Sequence, residues 1–144
     1  GLKGRIEFVK KVQGIEFYND SASINPNSTL TAIRTLSADK NLVLILGGAY
    51  TGYDYDELIQ SISQYVSTII VLPGSGTIGL REALNGLKDV TVIHSLTLEE
   101  AVQNAKDKAK KGDKVLFSPG FEAVGVDISR RDRGERFVRA VRAL

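Results

Sequence analysis

Short runs of β-branched and aliphatic residues alternate along the chain with stretches whose apolar positions recur at helical spacing. The first kind reads as strand and the second as amphipathic helix. Arg5–Val12 and Ile15–Asn19 are extended runs split by Gln13-Gly14, a pair suited to a tight hairpin turn. Asn25-Pro26-Asn27-Ser28 offers capping side chains and a first-turn proline, so a helix is predicted from there to about Leu36. Further strands are predicted at Asn41–Leu46, Thr68–Leu72, Val90–Ile93 and Val115–Phe117. Between and after them come helices at Tyr55–Ser63, Ile78–Leu87, Thr97–Lys110 and Asp132–Leu144. Thr97-Leu98-Glu99-Glu100 has the form of a capping box.

Asn41–Leu46 (NLVLIL) and Thr68–Leu72 (TIIVL) are continuously apolar and do not alternate. Such strands are buried on both faces, so helices should cover both sides of the sheet. The pattern therefore predicts an α/β fold, doubly wound around a mainly parallel sheet, as one domain over residues 1–144. Ligands of such sheets sit beyond the carboxyl ends of the strands. That edge carries Asn19-Asp20-Ser21, Gly47-Gly48, Pro73-Gly74-Ser75-Gly76, His94-Ser95 and Ser118-Pro119-Gly120.

Composition narrows the partners. A net charge of +2 is too small to argue for nucleic acid or an anionic membrane. No apolar run approaches the roughly 20 residues of a membrane helix. The absence of cysteine excludes disulfides and thiolate metal sites. The chain holds no methionine and begins at Gly1, so it is expected to be a segment of a longer protein.

Several constellations carry chemistry in principle. Gly74-Ser75-Gly76-Thr77-Ile78-Gly79 matches G-x-G-x-x-G between a strand and a helix, which reads as a dinucleotide pyrophosphate site or as an ordinary connecting loop. Against the first reading, the next strand ends in His94-Ser95, where a ribose-binding acid should stand. His94 is the only histidine, and no G-x-S-x-G elbow accompanies it, so it reads as a strand-end residue. Asp54 and Asp56 could pose two carboxylates, or could complement a helix dipole. Arg136, Arg139 and Arg142 suit a solvated helix face, whereas Arg130, Arg131 and Arg133 follow a strand-end loop where anion binding is an open reading. Asp20-Ser21-Ala22-Ser23-Ile24-Asn25-Pro26 makes a polar ledge at a strand end, able to serve a ligand or simply to cap a helix.

Taken together, the segments resemble the C-terminal domain of the Mur ligases, a Rossmann-like module. The likeness spans the chain in order. Gly1-Leu2-Lys3-Gly4-Arg5-Ile6-Glu7 resembles the family's G-L-P-H-R-x-E opening, and Asn19-Asp20-Ser21-Ala22-Ser23-Ile24-Asn25-Pro26 its N-D-S-K-x-T-N-P stretch. Leu44–Gly48 with Asp54-Tyr55 resembles L-I-L-G-G and its downstream D-F or D-Y. Leu116-Phe117-Ser118-Pro119 and Arg133-Gly134-Glu135-Arg136-Phe137 resemble the closing L-L-S-P and E-R-G-x-x-F.

The resemblance implies an ATP-dependent, amide-forming ligase of peptidoglycan synthesis that works in the cytoplasm as a monomer. Its partners would be UDP-N-acetylmuramoyl-L-alanine and an acceptor amino acid, D-glutamate or another. An N-terminal UDP-binding domain and a central domain holding most of the ATP and Mg²⁺ contacts would lie outside this chain, and the chain alone would be inactive. Carried over by position, Arg5, Asp20, Ser21 and Asn25 would serve the nucleotide. Ala22, Ile24, Ser118, Ala123, Arg130 and Arg131 would serve the acceptor. Ala22 stands where the D-glutamate-adding enzymes have lysine, Ile24 where they have threonine, Ala123 where they have serine and Arg130 where they have an aromatic residue. Arg130 or Arg131 is therefore expected to replace the lysine as carboxylate clamp.

Overall fold

The computed structural model describes residues 2–124 and 130–144, and Gly1 of the opening motif lies outside them. A hairpin begins the chain: β1 (Glu7–Val12) pairs antiparallel with β2 (Ile15–Asn19). Gln13 and Gly14 both have positive φ, 51° and 80°, which is what the two central residues of a type I′ turn require. The remaining strands are β3 (Leu42–Leu46), β4 (Val66–Val71), β5 (Thr91–His94) and β6 (Lys114–Phe117). The sheet order is β1-β2-β6-β3-β4-β5, and every pair after β1-β2 is parallel.

The period of two sorts the strand side chains onto two cores. Leu42, Leu44, Leu46, Ile69, Val71 and Leu116 face one side. That side is covered by α1 (Pro26–Leu36), α2 (Asp56–Tyr65) and α3 (Ser75–Asn85). Phe17, Val43, Ile45, Ile70, Val115 and Phe117 face the other, under α4 (Leu98–Lys108) and α5 (Arg130–Arg142). The expected doubly wound sheet with helices on both faces is the observed one.

Local signals set most boundaries. Asn25 Oδ1 accepts the Ser28 N–H at 2.9 Å, with Pro26 as the first residue of α1. Thr97 Oγ1 accepts the Glu100 N–H at 3.0 Å at the start of α4. Asp54 Oδ1 accepts the Asp56 N–H at 2.9 Å, and Asp56 and Glu57 occupy the first turn of α2. Here the two aspartates serve the helix start.

The largest departure is α3, which begins at Ser75 and not near Ile78, so Gly76 and Gly79 lie inside a helix. Packing overrides the loop signal of the glycines. A Cβ on Gly76 would fall 2.3 Å from ring atoms of Phe121, and a Cβ on Gly74 would fall 2.2 Å from the Gly48 carbonyl oxygen. Phe121 is itself fixed, stacked on Tyr55 with centroids 4.3 Å apart, while the Tyr55 hydroxyl donates to the Gly120 carbonyl. Two glycines of the G-x-G-x-x-G match are thus used to seat α3 against its own neighbours. Gly79 has open space around it.

This division predicts opposite effects within one motif. Gly76→Ala should destabilise the fold by about 1–3 kcal/mol, because the methyl overpacks a fixed ring. Gly79→Ala should stabilise it by about 0.5–1 kcal/mol through helix propensity. Urea denaturation of the two variants measures both.

Candidate functional site

The chain leaves β3 toward α2 on one face and leaves the neighbouring β6 toward α5 on the other. The carboxyl ends of these two strands therefore form the switch crevice where doubly wound sheets bind ligands. Asp20, at the end of β2 beside β6, lies close to it. Its side chain is turned inward and is almost wholly buried. Oδ1 accepts the Ile6 N–H at 3.0 Å, while Oδ2 accepts the hydroxyls of Ser23 at 2.6 Å and Ser118 at 2.7 Å. Ser118 Oγ also lies 2.9 Å from Thr29 Oγ1. Burial raises the Asp20 pKa above its ordinary 3.8, and the three donors and the nearby Arg5 charge pull in the opposite direction.

Next to this knot a cavity of about 510 Å³ opens between the chain's beginning and α5. Lys3, Gly4 and Glu7 form one wall, Asn19, Ser21 and Ala22 the floor, and the outward face of α5 the other wall. That face presents Arg130, Arg131, Glu135, Val138, Arg139 and Arg142. Cations outnumber carboxylates around it, so the cavity favours an anion. Arg130 Nε lies 3.5 Å from Glu122 and Arg131 Nε 3.2 Å from Glu135, both pairs partly exposed and readily exchanged. Lys3, Arg139 and Arg142 have no carboxylate within salt-bridge distance among the described residues. The helix approaches this closely because position 134 is glycine: a Cβ there would fall 2.3 Å from Ser21 Oγ.

The structure gathers Ser21, Ala22, Arg130 and Arg131 around one cavity. It leaves the other expected site residues outside that lining. Arg5 is exposed, and Asn25 is engaged in capping α1. Ile24 and Ala123 are half-buried. Ser118 has no exposed surface, so in this conformation it braces Asp20 and cannot touch an acceptor. His94 is exposed, with Nε2 3.4 Å from Asn85 Oδ1. Among the described residues no group of three or more His, Asp or Glu could hold a metal ion.

Sequence reasoning underweighted three lining residues: Glu7, Asn19 and Gly134. Glu7 Oε1 accepts from the Gly4 N–H at 3.1 Å and from Asn19 Nδ2 at 3.2 Å, and Asn19 Oδ1 accepts the Ser21 N–H at 3.1 Å. The signal that could have found the cavity wall was a glycine inside an arginine-rich helix, which marks a close approach.

The raised Asp20 pKa carries a sign. The folded state holds this proton more tightly than the unfolded chain, so its contribution is fully present below pH 3.8 and is lost as pH rises through the folded value. Asp20→Asn should remove that part of the descent, whereas Asp20→Ala, which strands two buried hydroxyls and a half-buried N–H, should cost about 1–3 kcal/mol at every pH. Denaturant titrations from below pH 3.8 to neutrality separate the two outcomes.

Known proteins are similar to this chain in sequence and in fold. The family model described as Mur ligase, glutamate ligase domain, matches residues 4–121. The UDP-N-acetylmuramoylalanine--D-glutamate ligase of Bdellovibrio bacteriovorus is 38% identical over 142 residues, covering 99% of this chain and 30% of that protein. The ligase of the same name from Thermoanaerobacter pseudethanolicus is 34% identical over 146 residues, covering 100% and 32%. The chain thus spans about a third of the length of the curated relatives it matches. Among solved structures, MurF ligase from Thermotoga maritima in complex with ADP aligns with a TM-score of 0.62 at 19% identity, over 99% of this chain and 31% of that one. UDP-N-acetylmuramate-alanine ligase MurC from the same organism aligns with a TM-score of 0.63 at 15% identity, over 99% and 31%. At these identities the structural likeness is one of fold. From the match over most of its length and the relatives along all of it, the chain belongs to the Mur ligase glutamate ligase domain family.

Proposed function

We propose that this chain is the C-terminal, acceptor-presenting domain of an ATP-dependent ligase that adds D-glutamate to UDP-N-acetylmuramoyl-L-alanine. The UDP-binding and central ATP-binding domains belong to the rest of the full-length protein, which works in the cytoplasm as a monomer. The observation that carries the reading is the cavity in which Ser21 and Ala22, from the start of the chain, meet Arg130 and Arg131, from its end.

The residues fit part of the nucleotide chemistry and not all of it. ATP, with Mg²⁺ held mainly by the central domain, supplies the phosphoryl group that activates the sugar-linked carboxylate. Asp20 cannot be a direct ligand for that metal here, because both of its oxygens are engaged and buried. Its role is to brace the ledge. Arg5 is exposed beside it and is free to bring positive charge to phosphate oxygens when the domains close. Ser21 and Asn25 shape the same ledge through their backbone and cap contacts.

The acceptor carries two carboxylates and must present a neutral amine. Arg130 and Arg131 replace the absent lysine at Ala22 as the clamp, their planar forks suited to bidentate carboxylate contact. Arg130 already lies near Glu122 and Arg131 near Glu135 in partly exposed pairs, so an acceptor carboxylate competes with carboxylates that can return to solvent. Mounting the clamp on a domain that closes over the active site couples acceptor binding to the exclusion of water.

In the full-length enzyme, Arg130→Ala and Arg131→Ala should raise the KM for D-glutamate about tenfold or more with little change in kcat, the mark of lost uniform binding. Steady-state kinetics with D-glutamate varied provide the check. An unchanged KM in both variants and in the double variant excludes the clamp. Failure of the restored full-length protein to form the amide at all excludes the ligase reading.

A further inference from the structure

A second cavity, of about 320 Å³, opens on the α4 and α5 side of the sheet, at the glycine loop after β3. Its walls are mostly apolar: Leu72, Pro73, Leu96, Leu98 and Val124, with Gly47 and Gly48. Two arginines line it, and they differ. Arg136 is committed, its Nη2 lying 2.6 and 3.0 Å from the two oxygens of Glu99. Arg133 is not.

Arg133 is 7% exposed, and its Nε and Nη1 are buried without a hydrogen-bond partner among the described residues. Nη2 makes one long bond, 3.4 Å, to the Ser21 carbonyl, and Cζ stands 5.9 Å from the centroid of the Phe117 ring. The nearby carboxylate, Glu122, is paired with Arg130. Burial lowers the Arg133 pKa to about 10, so the group still carries its charge at neutral pH. Glu122 favours the Arg133 charge from a distance, but a guanidinium in an apolar setting with two nitrogens unpaired is still costly unless something completes it. Glycine at 48 keeps a side chain off the guanidinium: a Cβ there would fall 3.3 Å from Nη1, as well as 2.2 Å from the Glu122 carbonyl oxygen. Thr97 and Leu98, where α4 begins, add the positive end of a helix to the same cavity.

We propose that this cavity is a binding site for a carboxylate carried on an apolar body, with Arg133 as its charge partner and Leu72, Leu98 and Val124 as its walls. The site is separate from the acceptor cavity and does not depend on the ligase reading. Apolar walls favour a hydrocarbon-bearing carboxylate over a fully hydrated inorganic anion, because the burial of each methylene adds to binding.

The test uses the 144-residue chain and simple probes followed by NMR titration: hexanoate, acetate, hexanol and inorganic phosphate. Hexanoate should bind at least about tenfold more tightly than acetate, and hexanol should not compete with it. Arg133→Met keeps the stem against Phe117 and removes the charge, so it should weaken hexanoate about tenfold or more. Leu96→Glu alters a side chain that is 80% exposed at the rim, so it should fold normally and repel the same probe. Equal hexanoate affinity in the wild type and Arg133→Met overturns the proposal. So does equal affinity in Leu96→Glu if the first variant does not fold, and so does binding of phosphate in preference to hexanoate.

Discussion

Three hydrogen bonds from three separate segments converge on the carboxylate of Asp20, and the geometry of the sheet's carboxyl edge follows from them. Ile6 belongs to the segment before β1, Ser23 to the approach to α1 and Ser118 to the loop after β6. None of these segments is regular, and isolated backbone bonds, such as the Gly120 N–H to the Ser23 carbonyl at 2.9 Å, join them in place of a ladder. A buried carboxylate is costly when unpaired, and that cost turns the three contacts into a requirement. Once they are made, the opening segment lies across the end of β2, where the Gly4 carbonyl accepts the Ala22 N–H at 2.9 Å. The floor and one wall of the larger cavity are then in place.

The other wall is a question of distance. α5 can lie against Ser21 only because Gly134 has no side chain, and the ledge can receive it only because Asp20 has already drawn the polar groups inward. Phe137 and Val141, on the helix's buried side, anchor it over Phe17 and Phe117 and leave Arg131, Glu135, Arg139 and Arg142 facing outward. An arginine-rich helix that would ordinarily be a solvated face becomes one side of an anion-attracting groove.

Much of this could be read from the sequence. Unalternating strands called for a doubly covered parallel sheet, and Gln13-Gly14, Asn25-Pro26 and the Thr97 box fixed a turn and two helix starts through chemistry confined to a few neighbouring residues. The cavity was legible in part, since Ala22, Arg130 and Arg131, three of the residues expected to serve an acceptor, line it together. What escaped was whatever depended on distant partners. Nothing local distinguishes a glycine that frees a loop from Gly76, which makes room for Phe121 some forty-five residues later. Nothing local tells that Ser118 would be sealed against Thr29, whereas the burial of Arg133 follows from its helical spacing with Phe137 and Val141.

Arg133 and Gly134 also tie the two cavities to one element. Gly134 closes the floor of the larger one against Ser21, while Arg133, the next residue back, reaches the Ser21 carbonyl with Nη2 and lines the smaller one. Any displacement of α5 along or away from the sheet therefore alters both at once. An anion that completes Arg133 lowers the cost of burying that guanidinium only in the seated position of the helix. Seating is also the position that brings Arg130 and Arg131 to the ledge. By linkage, if occupation of one cavity changes the affinity of the other through this helix, occupation of the other changes the affinity of the first by the same factor.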